Sequence, residues 1–257
     1  MNIIKENNKL LIAKIEDKIR LCNEKNKITF SDFVHLNEKS AIIKFIKANQ
    51  LSNYFFFGGR ENSDREVVAF YPDKINEEIA KTAMKQFIKI VKIRLPKNTK
   101  YTHGEYLSGI MKLGVAREKF GDIVVNSEGA DIIAFTEIAE YFANNLGQLT
   151  RFKNADISIG ELDEIENIMP KFENINIIIS SARLDNFVSE LGKFSRGNAS
   201  EYIQEGKVFV NGENEFKESK KIKEGDVITI RGKGKFIIGE LVGETRSGRL
   251  KVIIRKF

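Results

Sequence analysis

Cysteine, histidine and proline are all scarce in this chain of 257 residues, which has one, two and three of them. A single thiol, Cys22, excludes an internal disulfide. With only His35 and His103 to join it, the side chains for a zinc site are missing as well. No run of about 18 apolar residues occurs, which rules out a membrane-spanning helix. The first turns mix Lys with Glu and hold no signal-peptide hydrophobic region, so the expected location is cytoplasmic. Nucleotide signatures are absent too. No Gly-x-Gly-x-x-Gly follows a strand, and Gly58-Gly59 lacks the Lys-Ser/Thr that would close a phosphate loop. So few His and Cys leave no Ser/His/Asp or Cys/His set, and no catalytic residue, cofactor or metal is expected.

What the chain does have is apolar content (42%) sufficient for two or three small cores, and a charge imbalance confined to one end. Residues 180–257 carry 16 Lys and Arg against 11 Asp and Glu, a net of +5. Residues 1–179 carry 26 against 25, a net of +1. Positive charge concentrated in one segment is the electrostatic footprint of a phosphate-binding module.

Along the first 160 residues, periodicity predicts mixed helix and strand. Leu11, Ile15, Ile19 and Cys22 form one apolar stripe on an N-terminal helix, where Cys22 reads as a small buried hydrophobe. Ser31 or Asp32 is expected to cap a second helix burying Ala41, Ile42, Phe45 and Ile46. Tyr54–Phe57 reads as a strand buried on both faces and Val67–Tyr71 as its return, stopped by Pro72. A helix over Ile75–Met84 and a strand over Phe87–Leu95 follow. Thr102-x-x-Glu105 is a capping box opening a helix with Leu107, Ile110, Met111 and Leu113. Strands Asp122–Asn126 and Asp131–Phe135, a helix Glu137–Leu146 and a strand Leu149–Ile159 complete a β-α-β-β-α-β order. That is the ferredoxin-like or RNA-recognition-motif topology. The expected fold class is α+β. Its parts are a helical segment with a hairpin (1–74), the ferredoxin-like domain (75–160), an acidic connection (161–179) and a small αβ module (180–257). Ile175–Ile179 is expected to add a strand ahead of that module.

In the basic module, Leu184, Phe187, Val188 and Leu191 recur at helical spacing. Ser195 can cap a second helix burying Ala199, Tyr202 and Ile203, which Gly206 ends. Val208 and Val210 alternate with Lys207, Phe209 and Asn211 up to a tight Asn211-Gly212 turn. Gly225-Asp226 turns the chain into Val227, Ile228 and Ile230. Arg231–Lys235 and Thr245–Arg249 read as two basic hairpin turns.

Arg183-Leu184-Asp185, Ser195-Arg196-x-x-Ala199, Gly206-x-Val208-x-Val210-Asn211-Gly212 and Gly225-Asp226 stand in the order of the ribosomal-protein S-four RNA-binding domain, which this stretch resembles. The segment from Leu107 through Gly114-Val115-Ala116-Arg117-Glu118-Lys119-Phe120-Gly121-Asp122 to Ile123 looks like the hallmark of the YlmH family. So does Tyr54-Phe55-Phe56-Phe57-Gly58-Gly59. One departure is His103-Gly104-Glu105, where that family shows His-Arg-Asp.

The resemblance implies structured RNA as ligand: ribosomal RNA, transfer RNA or peptidyl-tRNA on the large ribosomal subunit, in rescue or quality control of stalled bacterial translation. The chain is expected to act as a monomer and not at a membrane. The expected contacts are Arg183, Lys193, Ser195, Arg196, Asn198, Lys207 and Asn211, with Arg231, Lys233, Arg246 and Arg249 from the turns. A helix start with unpaired N–H groups beside Arg, Lys, Ser and Asn suits a phosphate. Leu184 is expected in the core, and Asp185 is expected to tie its helix to backbone donors. The alternative is an interaction protein of cell division. An RNA-modifying enzyme is the remote third reading, since the only Arg-Leu-Asp already belongs to the binding module.

Overall fold

The computed structural model describes residues 2–60, 63–165 and 173–256 and divides into two compact units, Met1–Ile168 and Met169–Phe257.

The first unit begins with α1 (Asn2–Lys25), whose stripe buries Ile15 and Cys22 and half-buries Leu11 and Ile19. Two short strands, β1 (Thr29–Phe30) and β2 (Val34–His35), precede α2 (Leu36–Ala48). The second helix therefore does not start at Ser31 or Asp32. His35 is its N-cap, and the Glu38 carboxylate accepts the His35 N–H at 2.7 Å. Ser31 is spent on a strand instead. Its hydroxyl accepts from Val68 N–H at 3.0 Å, while its own N–H donates to Val68 O at 3.0 Å. Next come β3 (Tyr54–Phe57) and β4 (Arg65–Phe70), which pair antiparallel. On its other side β4 pairs with β1 and β2 in succession.

β4 lies between two layers, and its alternation shows it. Val68 and Phe70 face α1 and α2, whereas Val67 and Ala69 face the opposite way. A strand covered on both faces reads as an unbroken apolar run, which Val67–Phe70 is. β3 does not match that expectation: only Phe55 is fully buried, because β3 is an edge strand.

α3 (Glu77–Lys85), capped by the Asn76 side chain, leads to β5 (Ile88–Arg94). α4 (His103–Met111) opens on the expected capping box, with Glu105 N–H donating to Thr102 Oγ1 and Thr102 N–H to the Glu105 carboxylate. It stops two residues short of Leu113, so Leu113 packs from the following turn and Met111 is exposed. After a tight turn at Arg117–Lys119 come β6 (Phe120–Val125), β7 (Gly129–Phe135), α5 (Thr136–Asn145) and β8 (Asp156–Gly160). β8 starts seven residues later than Leu149 predicts. The intervening turns place Phe152 in the core, its ring 5.9 Å from Tyr106 and stacked on it. Strand order is β6-β7-β5-β8, all antiparallel, which is the ferredoxin-like arrangement.

Phe120, Ile123, Ile132 and Val91 face α4 and α5. The other face of this sheet, at Ile88, Ile90 and Ile133, is packed against Phe33, Phe55, Val67 and Ala69. Leu162 and Ile165, in the stretch expected to be a connection, join that same core. Residues 166–172 of that stretch lie outside the described residues.

The second unit starts with β9 (Glu173–Ile179), then α6 (Leu184–Gly192) and α7 (Arg196–Gln204). β10 (Val208–Val210), β11 (Glu213–Asn214), β12 (Val227–Ile230), β13 (Gly234–Glu244) and β14 (Leu250–Lys256) follow. They make one sheet in the order β11-β10-β12-β13-β14-β9. Leu184, Phe187, Val188, Ala199 and Ile203 pack on it with Val208, Ile228, Phe236 and Ile254. Phe209 is buried together with Val208 and Val210, so β10 does not alternate as predicted.

Candidate nucleic-acid interface

The turn between α6 and α7 is built from local bonds. Lys193 takes a left-handed conformation (φ 54°) that ends α6. Phe194 N–H then donates to Ser189 O at 2.9 Å, and the Ser189 hydroxyl donates to Phe194 O at 2.8 Å. Ser195 caps α7 as predicted, its Oγ accepting the Asn198 N–H at 3.2 Å. Arg196, Gly197 and Asn198 form the exposed first turn, where backbone N–H groups carry the partial positive charge of the helix start.

Arg196 reaches from that turn to Ser180, its Nη2 donating to the hydroxyl at 3.3 Å. The two line a groove of about 200 Å³ with Ile178, Ser189, Glu190 and Arg249. Arg249 ends the turn joining β13 to β14, which is held by Thr245 N–H to Arg249 O at 2.7 Å and carries Arg246 exposed at its tip. Arg196 and Arg249, 53 positions apart, therefore stand on one groove.

On the other flank of the turn, the Phe194 and Tyr202 rings lie 4.3 Å apart. Lys233 Nζ sits 4.7 Å from the Phe194 ring centre and Lys207 Nζ 4.8 Å from that of Tyr202. Arg231 N–H donates to Lys207 O at 2.9 Å, which brings the second basic turn to the end of α7. Lys207 also pairs with Glu205 at 2.5 Å, and that bond holds its ammonium above the ordinary lysine value. Cations laid on aromatic rings keep their charge pointed outward while the ring fixes their stems.

Two predicted contacts lie differently. Asn211 holds a left-handed turn position (φ 52°); its Nδ2 donates to Asp226 at 2.8 Å and its Oδ1 accepts the Val227 N–H at 2.8 Å. Those bonds lock the two turns together. Asn211→Ala is expected to cost about 2 kcal/mol of stability, from the strained φ and the lost bonds, with RNA affinity unchanged once folded. Thermal melts alongside binding isotherms check this. Arg183 caps the start of α6, and its guanidinium is spent bidentately on Asp185 at 3.0 and 2.9 Å. Asp185 thus holds a side chain rather than the backbone donors expected of it, and its hydrogen bond, then its charge, keeps Arg183 above the usual value.

Sequence reasoning missed Ser180 and Phe194. Phe194 had a signal, an aromatic between Lys193 and Ser195. Ser180 had none, because only folding carries it to Arg196.

The ferredoxin-like sheet of the first unit does not offer the surface on which an RNA-recognition motif stacks bases. Over Ile88, Ile90 and Ile133 that face is covered by β4 and Phe33. Beside them, Arg94 pairs with the buried Asp131 at 2.7 Å, and Lys92 with Glu164 at 2.5 Å.

A ferredoxin-like domain followed by two short helices on a sheet, with cations gathered around the second helix start, defines an RNA-binding protein of the S4-domain class. The family described as "Putative RNA-binding domain in YlmH" matches residues 83–166, and the S4 domain matches residues 182–228. The chain is 25% identical over 240 residues to "Ribosome-associated protein quality control protein P2" of Bacillus subtilis (strain 168), covering 92% of this chain and 90% of the relative. A solved structure, "Cell division protein ylmH from Streptococcus pneumoniae", matches with a TM-score of 0.50 and 19% identity over 62% of this chain and 94% of that one. Residues 83–166 thus carry the RNA-binding domain described for YlmH, and residues 182–228 an S4 domain.

Proposed function

We propose that the second unit grips structured RNA of the large ribosomal subunit, ribosomal RNA or the transfer RNA held there, and acts in the rescue or quality control of stalled translation. The observation that carries this reading is the exposed α7 start, with Arg196 and Arg249 on one groove, Lys207 and Lys233 on the adjoining aromatic pair, and Arg231 over the Phe209 ring at 5.9 Å. The name of the Bacillus relative supports the cellular role. Guanidinium and ammonium groups at a helix start recognise phosphates and 2′-hydroxyls by position, so no chemistry on the RNA is required. The chain works as a cytoplasmic monomer; among the described residues no helix is long and apolar enough to cross a membrane.

Co-sedimentation with separated ribosomal subunits, followed by crosslinking and RNA identification, tests the proposal. The expected result is a footprint on large-subunit RNA or its bound tRNA. Capture of partner proteins without RNA points to cell division instead, and a modified nucleotide after incubation points to an enzyme. Salt supplies a separate check. About five phosphate contacts give a log–log slope of affinity against salt between about −3 and −5. A flat salt response contradicts the electrostatic account.

A further inference from the structure

The hallmark stretch Ala116–Asp122 plays no part in the interface on the second unit, yet it surrounds an unusual arrangement of charge in the first. The tight turn at Arg117–Lys119 faces Arg65 at the start of β4 across a cleft of about 820 Å³ that runs under α1. Arg65 Nη2 donates to Phe33 O at 2.7 Å, while its Nε is enclosed with no hydrogen-bond partner. Arg117 Nη1 donates to Phe120 O at 2.7 Å, and its guanidinium lies 4.3 Å from the Phe120 ring centre. Backbone carbonyls hold both side chains in place, and among the described residues neither makes an ion pair.

The acids nearby are engaged elsewhere or stand off. Asp122 accepts from Asp64 N–H at 3.0 Å, Arg65 N–H at 3.1 Å and Arg60 Nε at 3.4 Å. Asp32 pairs with Lys119 at 2.7 Å, and Glu38 holds the His35 N–H. Glu38, Asp122 and Glu118 each act on Arg65 by charge from beyond ion-pair distance, and Asp17, paired with Arg20 at 2.8 Å, also lines the cleft. Burial, and then the charge of Arg65, push Arg117 down to about 10; burial also lowers Arg65. Two partly buried like charges lining one cleft disfavour one another, and an anion seated between them relieves both the repulsion and the desolvation. Lys14 and Lys18 of α1 add positive charge along the cleft.

We propose that Arg65 and Arg117 form a binding site for a phosphate group, built by the first unit alone and distinct from the RNA interface of the second. Two guanidinium forks match the several acceptor oxygens of a tetrahedral phosphate, and the cleft has room for a nucleotide-sized group. The source of the phosphate is either an RNA backbone or a small phosphate compound.

Arginine Nε–H resonances of the full chain, labelled with nitrogen-15, read the site directly. Inorganic phosphate is expected to shift the Arg65 and Arg117 signals saturably, whereas acetate at the same ionic strength leaves them in place. Arg117→Gln is expected to weaken phosphate binding by about tenfold or more, with Arg117→Lys intermediate. Arg65→Gln, on the facing wall, repeats the test should the first variant not fold. A short unstructured oligoribonucleotide added to Arg196→Glu protein then separates the sources. Shifts at Arg65 and Arg117 identify an RNA backbone, and their absence alongside a phosphate response identifies a small phosphate. Failure of phosphate to move either signal, an equal effect of acetate, or wild-type affinity in both folded Gln variants overturns the site. The phosphate titration uses no RNA, so its result is independent of the RNA-binding proposal for the second unit.

Discussion

Arg196→Glu in the full chain is expected to lower affinity for structured RNA by about 10- to 100-fold at fixed salt while leaving the fold intact. The size comes from one charge-assisted contact, worth about 1.5–3 kcal/mol, with reversal of its charge in addition. Stability should hold because Arg196 is exposed and its hydrogen bond to Ser180 is a long 3.3 Å. A glutamate in the first turn of α7 also meets the positive end of the helix favourably. The change in stability is therefore expected to stay within about 0.5 kcal/mol. Fluorescence anisotropy with a labelled RNA hairpin, paired with a thermal melt, measures both quantities. Undiminished affinity in a folded Arg196→Glu protein would remove α7 from the interface. Arg249→Glu, on the far wall of the same groove, should produce a loss of similar size, and the two losses should not add fully because the contacts share a phosphate.

Phe33→Ala is expected to destabilise the whole first unit by about 3–5 kcal/mol, the cost of removing a fully buried Phe. Phe33 is 1% exposed and its ring lies 5.0 Å from that of Phe135. Its edge also fills the space a side chain at Gly121 would need, 2.7 Å from where a Cβ would stand. No neighbour can collapse into that volume without moving either β4 or β6. For a unit of this length the midpoint should fall by about 10 °C. Hydrogen exchange is the sharper measurement. If the N-terminal sheet and the ferredoxin-like sheet share one core, amides of β4, β5 and β7 should lose protection together. Loss confined to residues before 75 would mean that the N-terminal segment folds as a separate body.

Much of this was legible because it is local. Ser195 and the Thr102/Glu105 pair announce helix starts through the same atoms that cap them in the structure. Gly206 (φ 69°), Gly212 (φ 80°) and Gly225 (φ 85°) sit where turn chemistry places them. The β-α-β-β-α-β order also follows from alternating periods of two and 3.6. Elements went astray where a long-range partner outbids a local signal. Ser31 has the side chain of a cap, but Val68 claims it across the sheet. Leu149–Ala155 has strand-like composition, but Phe152 is needed against Tyr106 and the backbone turns to deliver it.

Sequence by itself determined the composition of the second unit, its excess of positive charge, its helix starts and its resemblance to the S4 domain, because motif spacing and caps act over a few residues. Only the tertiary structure decided which cations share a surface, since Arg249 meets Arg196 through strand pairing of β14 with β13 and β9. It likewise withdrew Asn211 into a clamp, hid one face of the ferredoxin-like sheet beneath β4, and set Arg65 opposite Arg117. The physical reason is common to all four. Charge and hydrogen bonding act through distance in space, and chain separation says little about that distance until the sheets have closed.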